Sequence, residues 1–127
     1  MAEAAELIGR FKVVGVADDA LTMGTLVLGY PVLGSASAAD FSSYASVCDQ
    51  VLVAIGNKAL RASVVDRLLR AGLSLATMVH TKAMLSPRTQ VGAGSAIMAG
   101  AVVATAAVLG LGVIVNCGAV VDLQARV

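Results

Sequence analysis

A six-residue period runs through the C-terminal part of this 127-residue chain and constrains its fold more than any other feature. When the sequence is cut into sixes, the first position is always aliphatic: Val79, Leu85, Val91, Ile97, Val103, Leu109, Val115 and Val121. The fifth position is always compact: Ala83, Thr89, Ser95, Ala101, Ala107, Val113, Ala119 and Ala125. Such a period matches neither the 3.6 residues of a helical turn nor the alternation of a two-faced strand.

A repeat of six fits a triangular solenoid, in which each unit forms one flat side with its corner and three units complete a coil. The first-position side chain then points inward, and the fifth lies in a tight corner that excludes bulky side chains. Glycine, which is frequent at the second and fourth positions, lets the backbone turn. Because such repeats bury their apolar faces only against their neighbours, we predict a left-handed parallel β-helix over residues 78–127.

A transmembrane helix is the main alternative for this segment. The chain is 58% hydrophobic, and no charged residue occurs from Thr89 to Val121, a run long enough to cross a bilayer. A membrane helix gives small residues no reason to recur at every sixth position, however. It would also have to accommodate six glycines in this run. We therefore predict a β-helix and no membrane insertion.

Residues 1–77 are much richer in charge than the C-terminal repeats, since they hold 6 of the 9 basic and 7 of the 8 acidic residues. Strand, loop and helix patterns alternate here, which predicts a Rossmann-like α/β domain. The elements follow from apolar runs and their boundaries: a short helix over Ala2–Gly9, a buried strand within Phe11–Asp19, a connection over Leu26–Gly34, a modest helix within Ala36–Gln50, a central parallel strand over Val51–Asn57, and a helix capped by Asn57 and ended by Gly72.

Two pairs of residues follow the predicted strands and are candidates for ligand binding. Asp18 and Asp19 follow the first strand, and Gly56 and Asn57 follow the second. Ligands of open α/β sheets bind at the carboxyl ends of strands. The structural alternative stays open, because aspartates after a strand often only solvate a loop and an asparagine there often only caps a helix.

Composition excludes several other classes of function. The net charge of +1 and the lack of a basic run argue against nucleic acid as a partner. Cys48 and Cys117 are far apart, with no histidine beside them, which predicts reduced thiols, no metal site and a cytoplasmic protein. The N-terminus carries two glutamates and no apolar core, so we expect no signal peptide. No glycine fingerprint of a dinucleotide-binding dehydrogenase is present.

The segments VLVAIGN, LATMVHTKAMLSPRTQVGAGSAIMAGAVV and GVIVNCGAVVD resemble, in this order and spacing, the family of bacterial sialic acid O-acetyltransferases and UDP-bacillosamine N-acetyltransferases. The resemblance starts at VVGVADD and covers nearly the whole chain. It implies a sugar acetyltransferase of the hexapeptide class that forms a homotrimer. It also implies that acetyl-CoA binds between adjacent solenoids and that the N-terminal domain holds a sugar or sugar nucleotide.

The resemblance also implies roles for individual residues. Asp18 and Asp19 match the acidic loop after the family's second strand, and Gly56 with Asn57 matches a loop that faces the nucleotide. Asn116 matches an asparagine that lines the catalytic end of the acceptor pocket. In this family a histidine acts as general base on the sugar amine or hydroxyl, which then attacks the thioester.

The chain departs from the family pattern at that base. The family motif reads GAVVD followed by histidine, whereas this chain has Leu123 there, and leucine cannot accept a proton. His80 is the only histidine of the sequence. It matches a histidine at the family's domain junction, so we expect a structural role for it.

Two further departures concern the ends of the pattern. The family opens with a strand and a glycine-rich loop that this sequence lacks, so we expect an uncovered sheet edge. The hexads stop at Val127, before the later coils that contribute most of an acetyl-CoA site. Two hypotheses follow. One is an acetyl-CoA-dependent acetyltransferase acting on an amino or hydroxyl group of a sugar or sugar nucleotide; the other is a non-catalytic remnant or trimerising module.

Overall fold

The computed structural model describes residues 1–36 and 41–127 and divides into an α/β part and a solenoid. The α/β part contains two helices, α1 (Ala2–Leu7) and α2 (Lys58–Arg70), a 3₁₀ helix (Ser42–Ser46) and five strands: β1 (Val16–Ala17), β2 (Leu26–Val27), β3 (Tyr30–Gly34), β4 (Gln50–Val51) and β5 (Ser74–Leu75). The solenoid contains eight strands: β6 (Met78–Val79), β7 (Met84–Leu85), β8 (Gln90–Val91), β9 (Ala96–Ile97), β10 (Val102–Val103), β11 (Val108–Leu109), β12 (Ile114–Val115) and β13 (Val120–Val121).

Strands of the solenoid pair in parallel with partners one coil away. Val102 of β10 lies opposite Met84 of β7 and Val120 of β13, so each residue meets its counterpart 18 positions along the chain. The same offset joins β6, β9 and β12 on a second face and β8 with β11 on a third. The predicted parallel β-helix with three hexads per coil is therefore confirmed, and its left-handed sense stays a prediction.

The hexad positions have the environments that their chemistry predicts. First-position side chains fill the interior, and Ile97, Val103 and Leu109 are almost fully buried. Fifth-position residues lie inside the corners, where Ala101 and Ala107 are fully buried. The fourth position supplies the turn, because it has a positive φ in six successive hexads: Gly94, Gly100, Ala106, Gly112, Gly118 and Gln124.

Within the described residues, the α/β part contains two small sheets rather than one wound sheet. Strand β3 pairs in parallel with β1 and antiparallel with β2, while β4 pairs only with β5. The predicted central strand over Val51–Asn57 is wrong, because β4 ends at Val51 and has one neighbour. The predicted strand within Phe11–Asp19 is reduced to Val16–Ala17. A Rossmann-like arrangement is therefore not confirmed.

Other local predictions have mixed outcomes. The helix over Ala2–Gly9 is confirmed as α1, which is followed by Gly9 at φ 79°. Helix α2 begins after Asn57 and is followed by Gly72 at φ 80°, as predicted. The segment predicted as a connection, Leu26–Gly34, is instead the β2–β3 hairpin. The helix predicted within Ala36–Gln50 is present only as the 3₁₀ helix, and its residues 37–40 lie outside the described residues.

The two parts of the chain pack directly on each other. Ala5 of α1 forms a buried cluster with Met78 and Ala96, which belong to the face of the solenoid made by β6, β9 and β12. The N-terminal residues therefore cover one of the three solenoid faces. Among the described residues, no helix has the length and apolar character needed to cross a membrane.

Candidate functional site

The acidic loop after β1 uses its carboxylates to hold its own shape. Asp18 Oδ1 accepts a hydrogen bond from the Ala20 amide at 2.8 Å. Asp19 Oδ1 accepts from the Ser35 hydroxyl and, at 2.9 Å, from the Ala36 amide. Asp18 is half-buried and Asp19 is exposed. The structural role is shown by these hydrogen bonds, and a ligand-binding role stays a prediction.

The loop before α2 is fixed in a similar way. Asn57 Oδ1 accepts a hydrogen bond from the Leu60 amide at 2.9 Å and so caps the helix. Gly56 is exposed, and a Cβ built on it would meet no atom within 4 Å. The space beside the Gly56 Cα is therefore open, while the oxygen of the Asn57 side chain is committed to the cap.

Arg61 ties this loop to the solenoid, which the sequence did not predict. Its Nε donates to the Gly112 carbonyl at 2.9 Å, and its Nη1 donates to the carbonyls of Ile55 at 2.9 Å and Gly56 at 3.2 Å. Guanidinium bonds to carbonyl groups are charge-assisted and well directed. The loop at residues 55–57 is therefore held against a solenoid corner that lies 51 positions along the chain from Arg61.

The two predicted ligand loops do not meet at one sheet edge. Asp18 follows a strand of the β1–β3–β2 sheet, whereas Gly56 lies beyond the end of a strand in the β4–β5 sheet. A cavity of about 640 Å³ lies between the chain segments that lead into the two loops. Its lining includes Ala17, directly before Asp18, and Ile55, directly before Gly56. Both loops therefore begin at the wall of this cavity.

Asn116 lies at a solenoid corner and is exposed to solvent. Among the described residues, its side chain makes no hydrogen bond. His80 occupies the same position two coils away, a separation of about 10 Å at the spacing of paired strands. The His80 Nδ1 accepts the Lys82 amide at 3.0 Å, so the imidazole braces its own corner. This geometry agrees with a structural role for His80 and leaves Asn116 free to meet a ligand.

Leu123 lies at the corner that follows β13 and is 57% exposed. Asn116 lies at the corner that precedes β13, so the two positions flank the same strand. Leu123 itself offers no base, its neighbour Asp122 accepts a hydrogen bond from the Leu123 amide at 2.6 Å, and the only imidazole of the sequence is that of His80. In the described part of the chain, no cluster of histidine, cysteine, aspartate or glutamate could hold a metal ion.

The three faces of the solenoid differ in what covers them. On the face of β6, β9 and β12, Met78 and Ala96 are fully buried under the N-terminal residues. On the face of β7, β10 and β13, three apolar side chains stack in register and remain exposed, Met84 at 70%, Val102 at 36% and Val120 at 69%. We call this the bare face, and it is bordered by the corners of Asn116 and Leu123.

The chain is similar to a known protein family and to several solved structures. A family model described as the PglD N-terminal domain matches residues 1–68. The acetyltransferase domain of PglB from Neisseria gonorrhoeae, solved with acetyl coenzyme A, is 33% identical with a TM-score of 0.83, and the match covers 98% of this chain and 59% of that chain. No curated protein sequence matches the chain significantly.

Two structures from Caulobacter crescentus are also similar. A mutant of perosamine N-acetyltransferase, in complex with CoA and GDP-perosamine, is 31% identical with a TM-score of 0.88, over 98% of this chain and 57% of that chain. PerB in complex with the same two ligands is 30% identical with a TM-score of 0.85, over the same shares. The chain therefore spans less than two thirds of the length of these structures.

Proposed function

The chain belongs to the PglD-like family of sugar acetyltransferases, and from this membership we propose that it takes part in acetyl transfer from acetyl-CoA to a sugar or sugar nucleotide. The acceptor group is an amino or hydroxyl group. The observation that carries the proposal is the match of 98% of the chain to solved acetyltransferases at TM-scores of 0.83 to 0.88. The relatives in those structures hold acetyl coenzyme A, or CoA with GDP-perosamine.

In this proposal the two parts of the chain bind different substrates. Residues 1–77 form the acceptor-binding domain, in which Asp18, Asp19, Gly56 and Asn57 contact the sugar or nucleotide. Residues 78–127 form the solenoid domain, which contributes to the acetyl-CoA site. The Arg61 bridge supports this assignment, because Arg61 donates to the carbonyls of Gly56 and Gly112 and so holds the acceptor loop against the solenoid. The space beside Gly56 is open to a ligand.

We further propose that the chain assembles as a homotrimer through the bare face. An exposed row of Met84, Val102 and Val120 favours a protein contact, since aligned apolar side chains gain free energy when they leave water. Asn116 and Leu123 border this face, so a second copy on it would close a pocket around both. Both cysteines are free thiols, which supports a cytoplasmic location.

The chemistry of the site limits what Leu123 can contribute. In acetyl transfer the acceptor amine or hydroxyl attacks the thioester carbon, the carbon–sulfur bond breaks, and CoA leaves as its thiol. A base must take the proton of the attacking group, and leucine cannot. Asn116 can orient the acceptor or hydrogen-bond the developing oxyanion through its amide. We therefore expect slow turnover that depends on positioning alone.

The first test is isothermal titration of the purified chain with acetyl-CoA, together with a measurement of its mass in solution. Saturable binding by a trimer would support a donor site between solenoids. A trimer without any heat of binding would favour the second candidate, a non-catalytic trimerising module. The observation that favours this candidate is the exposed leucine at the base position.

Substitution of Leu123→His tests the catalytic proposal directly. If the remaining site is intact, the imidazole supplies the missing base, and turnover of amino sugar nucleotides should rise about 100-fold or more. The gain should disappear below about pH 6.5, where imidazole is protonated. Leu123→Asn is the matched control, because it adds a polar group that is not a base. Equal rates for both variants would contradict the proposal.

A further inference from the structure

Three large apolar side chains at the β2–β3 hairpin are mostly in contact with solvent. Met23 is 72% exposed, Leu26 is 67% exposed and Leu28 is 75% exposed. In the described part of the chain, the other large apolar side chains with at least two thirds of their surface exposed are Met84 and Val120 of the bare face and Leu7 of α1. We call Met23, Leu26 and Leu28 the apolar tip, and it is the second strongly exposed apolar surface of the molecule.

The backbone of the hairpin holds the apolar tip in a fixed shape. Val27 lies opposite Tyr30 in the antiparallel pair, so Leu28 and Gly29 form a two-residue turn. Both turn residues have a positive φ, 50° at Leu28 and 86° at Gly29, and glycine or asparagine usually occupies the first of these positions. The Leu28 side chain gains little packing within its own chain in return for this strained backbone. Strain at an exposed residue indicates a contact outside the chain.

The trimer of the proposed function needs a second surface of this kind. In a cyclic assembly of three copies each contact is heterologous, so the bare face of one copy meets a different surface of the next. The bare face is apolar, and an apolar partner gains free energy when both surfaces leave water. Among the described residues, the apolar tip is the most exposed apolar surface outside the bare face.

The charges beside the two surfaces are of opposite sign. At the base of the turn, the Tyr30 phenol is hydrogen-bonded to the Glu6 carboxylate, and Glu3 also acts on it through its charge. On the bare face, Lys82 precedes β7 and Arg88 follows it, and both are exposed. The end of the bare face formed by β7 is therefore flanked by cations. Complementary charges favour and orient a contact between this end and the apolar tip.

We propose that the apolar tip of each copy packs on the bare face of the next copy, at the end formed by Met84, and so closes the trimer. This inference rests on the trimer of the proposed function and adds the surface that the bare face meets. Insertion of the tip into an anionic membrane is the alternative. The carboxylates of Glu3 and Glu6 oppose it, because an anionic lipid surface attracts cations.

The test compares the mass in solution of the unaltered chain with that of a tip variant, Leu26→Thr combined with Leu28→Asn. Threonine suits a strand and asparagine suits a positive φ, so both changes favour the hairpin while they remove two apolar contacts. We expect the dissociation constant of assembly to rise about 100-fold, with unchanged circular dichroism. Leu60→Gln is the matched control, because it removes a leucine that is 51% exposed outside both surfaces, and it should remain a trimer.

A mixing experiment tests whether the two surfaces meet each other. Val120→Glu keeps the apolar tip and loses the bare face, whereas the tip variant keeps the bare face and loses the tip. Each variant alone should have the mass of one chain. In an equal mixture, one intact tip can pack on one intact bare face. We therefore expect a complex of two chains that grows no further.

Four results would overturn the proposal. If the tip variant remains a trimer while Val120→Glu is a single chain, the bare face meets another surface and the trimer of the proposed function stands. If the mixture stays as single chains, the two surfaces do not meet. If phosphatidylglycerol vesicles bind the unaltered chain but not the tip variant, the tip belongs to a membrane contact. If the unaltered chain has the mass of one chain, the proposed trimer fails together with this inference.

Discussion

The Tyr30 phenol is a single group whose titration reports how α1 is held against β3. A hydrogen bond with the Glu6 carboxylate raises the pKa of Tyr30 to about 12, with smaller contributions from desolvation and from the charges of Glu6 and Glu3. The neutral phenol donates to the carboxylate, whereas the phenolate is repelled by it. Because the folded pKa lies above the ordinary value of about 10, this contact stabilises the fold fully below pH 10 and is lost as the pH rises through about 12.

We expect Glu6→Gln to return the pKa of Tyr30 toward its ordinary value. The measurement is the ultraviolet absorbance of tyrosinate against pH in a Tyr44→Phe background, where Tyr30 is the only phenol left of the two in the sequence. Glu3→Gln is the control and should change the pKa much less, since Glu3 acts only through its charge. An unchanged titration in Glu6→Gln would show that the contact is absent in solution.

Single residues also show why the sequence predicted candidates for the site but not their roles. Asp19 lies close behind β1, whereas Asn57 lies well beyond the end of β4 at Val51, and the structure commits one oxygen of each side chain to the amides of Ala36 and Leu60. A residue type and its position do not reveal whether a nearby amide or a ligand uses the oxygen. Arg61 was missed because its partner Gly112 is distant in sequence, and no local pattern marks that contact.

At the scale of elements, the cap of α2 can be tested separately from ligand binding. Asn57→Ala removes the hydrogen bond to the Leu60 amide and should lower the free energy of unfolding by about 1 kcal/mol. Asn57→Ser keeps a capping oxygen and should stay within a few tenths of the original stability. Urea denaturation measures both. If the two variants are equally stable, the side chain does not act as a cap.

The corners of the solenoid give a sharper test, because Gly92 and Gly110 occupy the same hexad position in successive coils. A Cβ on Gly92 would lie 2.2 Å from the Gly110 carbonyl oxygen, whereas a Cβ on Gly110 would lie 3.3 Å from the nearest atom, the Val127 oxygen. Backbone atoms cannot move aside as a flexible side chain can. We expect Gly92→Ala to destabilise the chain by about 3 kcal/mol and Gly110→Ala by about 1 kcal/mol or less. Similar urea midpoints for the two variants would contradict this close contact.

Elements also divide into those that a sequence determines locally and those that it does not. The hexads could be predicted because each repeat carries its own inward residue and its own turn. The strands of the α/β part could not, because pairing depends on partners that are distant in the chain. The β2–β3 hairpin was missed for a local reason: its turn places Leu28 at φ 50° before Gly29 at φ 86°, and leucine rarely adopts that conformation.

At the scale of the whole molecule, the side chains exposed on the three solenoid faces determine which face can form a contact between copies of the chain. The second face, made by β6, β9 and β12, is covered by α1, and the third, made by β8 and β11, carries the polar Gln90. Only the bare face, among the described residues, presents a stacked row of exposed apolar side chains. Stacking is a consequence of the 18-residue register, because Met84, Val102 and Val120 are paired partners.

Val120→Glu should therefore abolish the proposed trimer without unfolding the chain. Val120 is 69% exposed, so a glutamate there is solvated in the single chain, whereas assembly would desolvate its carboxylate at each contact. Gln90→Glu on the third face is the matched control, because it adds the same charge to the corresponding hexad position. Sedimentation should give the mass of one chain for Val120→Glu and of three for Gln90→Glu, with unchanged circular dichroism. Loss of assembly in both variants would indicate a general effect of charge, and its loss in Gln90→Glu alone would place the contact on the third face.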